Sequence, residues 1–175
     1  MRLSIIIPTF NEESTIAEVL GKVFEVTLGF GLDRQVEKEI IVVDDYSQDG
    51  TEQVVAGFMA NFDPNPATTS GTTQPNNQIK FIKHSQNSGK GAAVLTGLKS
   101  ATGDFIIIQD ADLEYDPADY PRLLEPLVNG RADVVFGSRF IGASPKRTLY
   151  FWHFAANKFL TTLSNVFNNL NLSDM

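Results

Sequence analysis

Five short runs of consecutive apolar, mostly β-branched residues recur along this chain: Leu3 to Ile7, Glu39 to Val43, Ile79 to Lys83, Asp104 to Ile108 and Ala132 to Phe136. They are continuous rather than alternating, the pattern of strands buried on both faces. Between them lie segments with helical character: Glu13 to Val26, Asp49 to Ala60, Ser88 to Ala101 and Pro117 to Val128. In the first, Ile16, Val19, Leu20 and Val23 recur at helical spacing, with Asn11 as the expected N-cap; Asp49 is expected to cap the second. Strands alternating with helices predict an α/β fold, a mostly parallel sheet with helices on both faces. With 175 residues the expectation is a single main domain with a sizeable core.

Two segments depart from this regularity. Residues 63–78 are rich in Pro, Asn, Thr and Gly without apolar periodicity, and predict a flexible surface insertion. In the tail, Leu149, Phe151, Trp152, Ala155, Ala156, Phe159, Leu160, Leu163 and Phe167 recur at helical spacing. The expected organisation is a domain over 1–145 followed by an amphipathic helical tail over 146–175. The tail's apolar face would pack on protein or rest on a membrane surface through 146–172. Its polar residues, and those elsewhere, leave no stretch with the length and apolarity of a membrane span.

The net charge of −7 and the lack of any basic run argue against a nucleic-acid partner. Without cysteine there is no disulfide and no thiolate zinc site, which suits a reducing compartment. Met1-Arg2 and the five residues before Pro8 do not form a secretory signal, so the expected location is cytoplasmic, or peripheral on the cytoplasmic face of a membrane.

Function is concentrated where each run ends. Pro8-Thr9-Phe10-Asn11-Glu12 follows the first, Asp44-Asp45-Tyr46-Ser47-Gln48-Asp49-Gly50-Thr51 the second, and His84 through Gly91 the third. Asp110-Ala111-Asp112-Leu113-Glu114 follows the fourth and Gly137-Ser138-Arg139 the fifth. In open α/β sheets ligands bind outside the carboxyl ends of the strands. Asp110 and Asp112 are like charges one residue apart, a costly pairing unless a cation sits between them. Mg²⁺ is commonly held by one or two carboxylates and completes its shell with substrate phosphates.

The other clusters have more than one use. Asp45 can accept from a ribose or a base N–H; Glu12 can do the same or pair with a helix dipole. Gly89-Lys90-Gly91 can bring backbone N–H groups and an ammonium to a nucleotide at a helix start. It lacks P-loop spacing, and no Gly-x-Gly-x-x-Gly follows the first strand, which disfavours a dinucleotide dehydrogenase. Arg139, after Gly137-Ser138, can reach a phosphate. His84 and His153 have no companions that suggest zinc.

These residues in this order resemble the family 2 glycosyltransferases with the Rossmann-like GT-A fold, and within them the dolichol- or polyprenyl-phosphate sugar synthases. The motifs are Ile-Ile-Pro-Thr-Phe-Asn-Glu, Val-Val-Asp-Asp-x-Ser-x-Asp-Gly-Thr, Asn-x-Gly-Lys-Gly-Ala-Ala, Asp-Ala-Asp-Leu and Gly-Ser-Arg-Phe. The resemblance implies that Pro8, Phe10 and Glu12 line a nucleobase and ribose pocket completed by Val43 and Asp45. Phe10 stands where tyrosine is common. Lys90, Asp110, Ala111 and Asp112 would meet the sugar nucleotide. Asp110, Asp112 and Glu114 would hold Mg²⁺ or Mn²⁺. Arg139 would bind a phosphate, with Asp112 and Arg139 the catalytic pair.

The implied reaction moves a hexose, with inversion, from a nucleoside-diphosphate sugar of the GDP-mannose or UDP-glucose class to a polyprenyl-phosphate acceptor. A phosphate acceptor is already an anion and needs no strong base, and none is evident here. Family members usually continue further, so the expectation is a chain truncated on its acceptor side. The alternatives are a nucleotide-sugar-binding module without turnover and a sugar nucleotidyltransferase. The latter should carry a Gly-rich, basic loop after the first strand, which Pro8 to Glu12 is not.

Overall fold

The computed structural model describes residues 1–30, 36–61, 78–137 and 151–168. It divides into two compact units, Met1–Glu125 and Pro126–Met175. The expected insertion lies outside the described residues, apart from Gln78. So does Arg139.

The first unit is built on a four-stranded sheet in the order β3-β2-β1-β4. The strands are β1 (Arg2–Thr9), β2 (Glu37–Asp44), β3 (Gln78–Lys83) and β4 (Phe105–Ile108), all pairing in parallel. The alternating helices are α1 (Ile16–Glu25), α2 (Thr51–Asn61), α3 (Lys90–Ser100) and α4 (Tyr120–Val128), the last preceded by a 3₁₀ turn at Pro117–Asp119. This is the α/β arrangement of a GT-A fold. Residues 3–9 of β1 and 38–44 of β2 are buried throughout, the apolar stretches Ile5 to Ile7 and Ile40 to Val43 together with flanking polar residues such as Ser4, Lys38 and Glu39.

Register explains how a proline sits near the centre of the sheet. The Ile6 carbonyl accepts from Gln109 N–H, so residues 6 and 8 direct their backbone groups toward β4. The β4 ladder ends at Ile108, opposite Ile6, so no ladder partner awaits an N–H at Pro8.

Helices cover both faces. On one, Ala93 of α3 packs with Ile41 and Val43. Gly97 lies so close to Ile6 that an added Cβ would stand 2.3 Å from its Cγ2. On the other, the Lys38 ammonium is buried and donates to the carbonyls of Val23 (2.9 Å), Phe24 and Val26 (2.7 Å), satisfying the C-terminal end of α1. Burial lowers this lysine's pKa to about 8.

Three local expectations are corrected. Asn11 does not cap α1: it adopts φ 57°, and its side-chain oxygen accepts from Gln48 N–H at 2.8 Å. The first helical turn starts instead from the Glu12 carbonyl, which accepts from Thr15 and Ile16. Residues 132–136 form no strand; Val134 and Phe136 are about two-thirds exposed, at 66% and 65%. Strand propensity is realised only through a paired ladder. Third, α3 begins at Lys90 rather than Ser88, because Gly89 precedes it at φ 88°, ψ 158°, a conformation open only to glycine.

In the second unit, α5 (Phe151–Asn168) occupies the expected tail helix. Phe159, Leu160, Leu163, Val166 and Phe167 fall on one face and are exposed. Among the described residues, no helix is long and apolar enough to cross a membrane.

Candidate nucleotide-sugar site

The carboxyl ends of β1, β2 and β4 and the start of α3 surround an open cleft of about 250 Å³. Its walls carry Pro8, Phe10, Glu12, Asp45, Lys90, Asp110, Ala111 and Asp112, brought together from four separate sequence clusters. Gly89, expected near the nucleotide from the Gly89-Lys90-Gly91 turn, lines it too, as do Thr9, Asn87 and Ala93, to which the sequence assigned no role of their own. Val43 does not reach the cleft. It is fully buried in the core with Ile41 and Ala93.

Much of the second cluster is structural. Ser47 donates through its backbone and hydroxyl to buried Asp44, and its Oγ accepts from Asn11 N–H at 2.9 Å. Thr51 Oγ1 accepts from Glu12 N–H (2.8 Å), and Asp49 accepts from Glu13 N–H (3.2 Å) and from the Thr51 N–H and hydroxyl (3.0 and 2.5 Å). Asp49, expected as the cap of α2, lies one residue before the cap position: the Gly50 carbonyl accepts the first helical bond, from Val54 N–H, and Asp49 satisfies the N–H of Thr51 instead. These bonds tie the loop after β1 to the loop after β2, which holds Phe10 and Glu12 at the cleft.

Asp45 is the member of this cluster that lines the cleft, and it is anchored. Its Oδ1 accepts from His84 Nδ1 (2.8 Å) and Ser88 N–H (2.9 Å), and its Oδ2 from Gly89 N–H (2.6 Å). Burial alone would raise this carboxyl's pKa. The Ser88 N–H, the His84 ring and the Gly89 N–H together outweigh that and hold it below the usual value. Because a carboxylate only accepts, His84 Nδ1 carries the proton; Nε2 lies 2.9 Å from the Thr96 hydroxyl on α3.

The Asp110–Asp112 turn is organised from beneath. Gln109 is buried, at 1% exposure, and donates to the carbonyls of Asp110 (3.0 Å) and Tyr115 (3.1 Å). Its own oxygen accepts from the buried Tyr120 hydroxyl at 2.8 Å. Asp110 is paired with Lys90, Nζ to Oδ1 2.7 Å. Asp112 Oδ1 accepts from Glu114 N–H at 3.1 Å, across Leu113 at φ 62°.

Glu114 is not among the cleft-lining residues. Among the described residues, no three His, Cys, Asp or Glu side chains group to hold a metal. The expected three-carboxylate set is therefore not formed among the described residues. Asp110 and Asp112 remain a hard-oxygen pair facing one cleft, which suffices for Mg²⁺ or Mn²⁺ when phosphates supply further ligands. Charge supports the fit: Glu12, Asp45, Asp110 and Asp112 face the cleft against Lys90 as the one cation among its described walls. A diphosphate entering such a cleft needs a compensating cation.

Comparison with known proteins agrees with this geometry. The family described as Glycosyl transferase family 2 matches residues 4–172. The dolichol-phosphate mannosyltransferase of Pyrococcus furiosus is 30% identical over 141 residues, 81% of this chain and 34% of that protein. The structure of the Pyrobaculum calidifontis mannosyltransferase PcManGT in complex with GDP-Man and Mn²⁺ aligns at 30% identity and a TM-score of 0.50, covering 67% of this chain and 29% of that one. The glucosyl-3-phosphoglycerate synthase of Mycobacterium tuberculosis in complex with UDP aligns at 25% identity and a TM-score of 0.52, covering 74% and 40%. The chain thus spans about a third of the length of the Pyrococcus relative. With its parallel sheet, its clustered loops and a family match over most of its length, the chain belongs to glycosyl transferase family 2.

Proposed function

We propose that this chain supplies the donor half of an inverting hexosyltransferase. It binds a nucleoside-diphosphate sugar in the cleft, for transfer to a polyprenyl-phosphate or similar acceptor. The observation that carries this is the convergence of Asp45, Lys90, Asp110 and Asp112 on one cleft at the carboxyl ends of the strands. The Pyrobaculum structure, named for its GDP-Man and Mn²⁺, supports a sugar-nucleotide donor and a divalent cation on the Asp110–Asp112 pair.

Each side chain then has a defined task. Phe10, 46% exposed, offers a stacking surface for a base, while Glu12 and Asp45 accept from the nucleoside. Lys90 exchanges its contact with Asp110 for the diphosphate. Asp110 and Asp112 hold the cation, and Arg139 binds a phosphate. When bound, the cation neutralises charge developing on the departing diphosphate. Holding donor and acceptor in line lowers the barrier further. A phosphate acceptor attacks as an anion, so no general base is demanded of these residues.

The test is calorimetric titration with UDP, GDP, UDP-glucose and GDP-mannose, with and without Mn²⁺, on the wild type and Asp112→Asn. We expect Mn²⁺-dependent binding of a nucleotide, weakened at least about tenfold by the substitution. Absence of binding to all four overturns the donor-site reading. Metal-dependent binding without nucleoside diphosphate release in the presence of acceptor would restrict the chain to donor binding.

The apolar face of α5 supports peripheral membrane contact as well. Sedimentation with anionic liposomes should fall when residues 146–175 are removed; equal sedimentation would exclude that role.

A further inference from the structure

The hydrogen-bond capacity of Asp45 is almost exhausted before any ligand arrives. A carboxylate has two oxygens and about four acceptor positions. In this protein Oδ1 already receives His84 Nδ1 and Ser88 N–H, which fills it, and Oδ2 receives Gly89 N–H. One acceptor position is left, on Oδ2. The carboxyl is nearly buried, at 3% exposure, yet it forms part of the cleft wall.

The three donors are not readily displaced. Two are backbone groups of the turn entering α3, one of them on Gly89 in its glycine-only conformation. The third is a ring held between β3 and α3, with its far nitrogen on Thr96. Nearby, Asn87 lines the same cleft, and its side-chain amide has no hydrogen bond among the described residues. The wall thus offers one acceptor on Asp45 and amide donors on Asn87.

Nucleobases differ in what they present to such a wall. The imide edge of uracil has a single N–H between two carbonyl acceptors. Guanine presents two adjacent donors, N1–H and the 2-amino group, which a carboxylate matches only with a free position on each oxygen. Asp45 has none on Oδ1. Given the donor-cleft reading above, on which this rests, we infer that Asp45 reads the base through one donor, so that the cleft selects uridine over guanosine diphosphate nucleotides. His84 is the positioning residue that enforces the choice. A site that satisfies a ligand's hydrogen bonds rejects the analogue that leaves them unpaired.

Calorimetric titration of the purified chain with UDP and GDP in saturating Mn²⁺ tests this, on the wild type, His84→Ala and His84→Asn. The wild type should bind UDP about tenfold or more tightly than GDP, the discrimination of one mismatched hydrogen-bond pair. His84→Ala frees a position on Oδ1 and lets the carboxylate turn, so the preference should narrow toward equality. His84→Asn keeps a donor where Nδ1 stood and should restore it. If His84→Ala does not fold, the wild-type ratio and the Asn variant still decide. Equal binding of the two nucleotides, or tighter GDP binding, overturns the inference while leaving the donor site intact. An unchanged preference in a folded His84→Ala removes His84 from the selection. Binding of neither nucleotide overturns the donor-site reading itself.

Discussion

Adjacent residues with identical chemistry do different work in this chain. Asp44 ends β2 and Asp45 follows it directly, and successive side chains of an extended chain leave on opposite faces. Asp44 is buried under Ser47, and Asp45 lines the cleft. Gln109 shows a similar division of labour: it touches no cleft surface yet holds the turn that presents Asp110 and Asp112. Its oxygen relies on Tyr120, whose ionisation burial pushes far upward, so the phenol stays a donor across the accessible pH range. Tyr120→Phe should leave that buried oxygen unpaired and cost roughly 1–3 kcal/mol in urea denaturation. It should also weaken Mn²⁺-dependent nucleotide affinity, because the Asp110–Asp112 turn loses its anchor. A variant of unchanged stability and affinity would show that Gln109 is held adequately without the phenol.

Among the elements, α3 matters most to the cleft. Its first turn carries Lys90, its entry turn supplies Ser88 and Gly89 to Asp45, and its inner face touches β1 at Gly97. Gly97→Ala would set a methyl 2.3 Å from Ile6 Cγ2. Helix and strand must then separate, at a cost of roughly 1–3 kcal/mol despite alanine's better helix propensity. We expect a lower urea midpoint together with weaker nucleotide binding; a stabilised protein would mean that the contact relaxes freely. The helices were legible in the sequence because their apolar spacing is local, as with Ile16, Val19, Leu20 and Val23. Residues 132–136 misled for the opposite reason. Their composition suits a strand, but a strand also needs a neighbour in register, and composition does not supply one.

Across the whole molecule, the two ends of the sheet are stabilised differently. At the end opposite the cleft, Glu39 is 1% exposed and accepts from the Ser4 hydroxyl (2.5 Å), Lys80 (2.6 Å) and the Thr102 N–H and hydroxyl (2.8 and 2.9 Å). Burial raises its pKa, but these four donors outweigh burial and bring it to about 2. A carboxyl whose pKa is lower folded than unfolded stabilises the fold above its unfolded value of 4.5. That contribution is lost progressively as pH falls from there toward about 2. Asp45 acts in the same direction. Urea midpoints should therefore fall steeply below pH 4.5. Glu39→Gln should lose roughly 2 kcal/mol at pH 6, with its deficit against the wild type shrinking toward pH 3. Parallel curves for the two proteins would assign the acid sensitivity elsewhere.

The sequence by itself determined the order of the first four strands and their helices, the parallel class of the sheet and the grouping of polar clusters at those strand ends. Those follow from the spacing of neighbours a few residues apart. It also indicated most of the cleft, since Pro8, Phe10, Glu12, Asp45, Lys90, Asp110, Ala111 and Asp112 all reach it. Only the tertiary structure decided that Val43 is core, that Glu114 is not among the cleft-lining residues, that Lys90 pairs with Asp110 and that His84, Ser88 and Gly89 occupy all but one acceptor position of Asp45. The partners of Asp45 lie 39, 43 and 44 residues away. Whether such groups meet depends on strand register and helix placement, which packing of the whole sheet sets and no local pattern encodes.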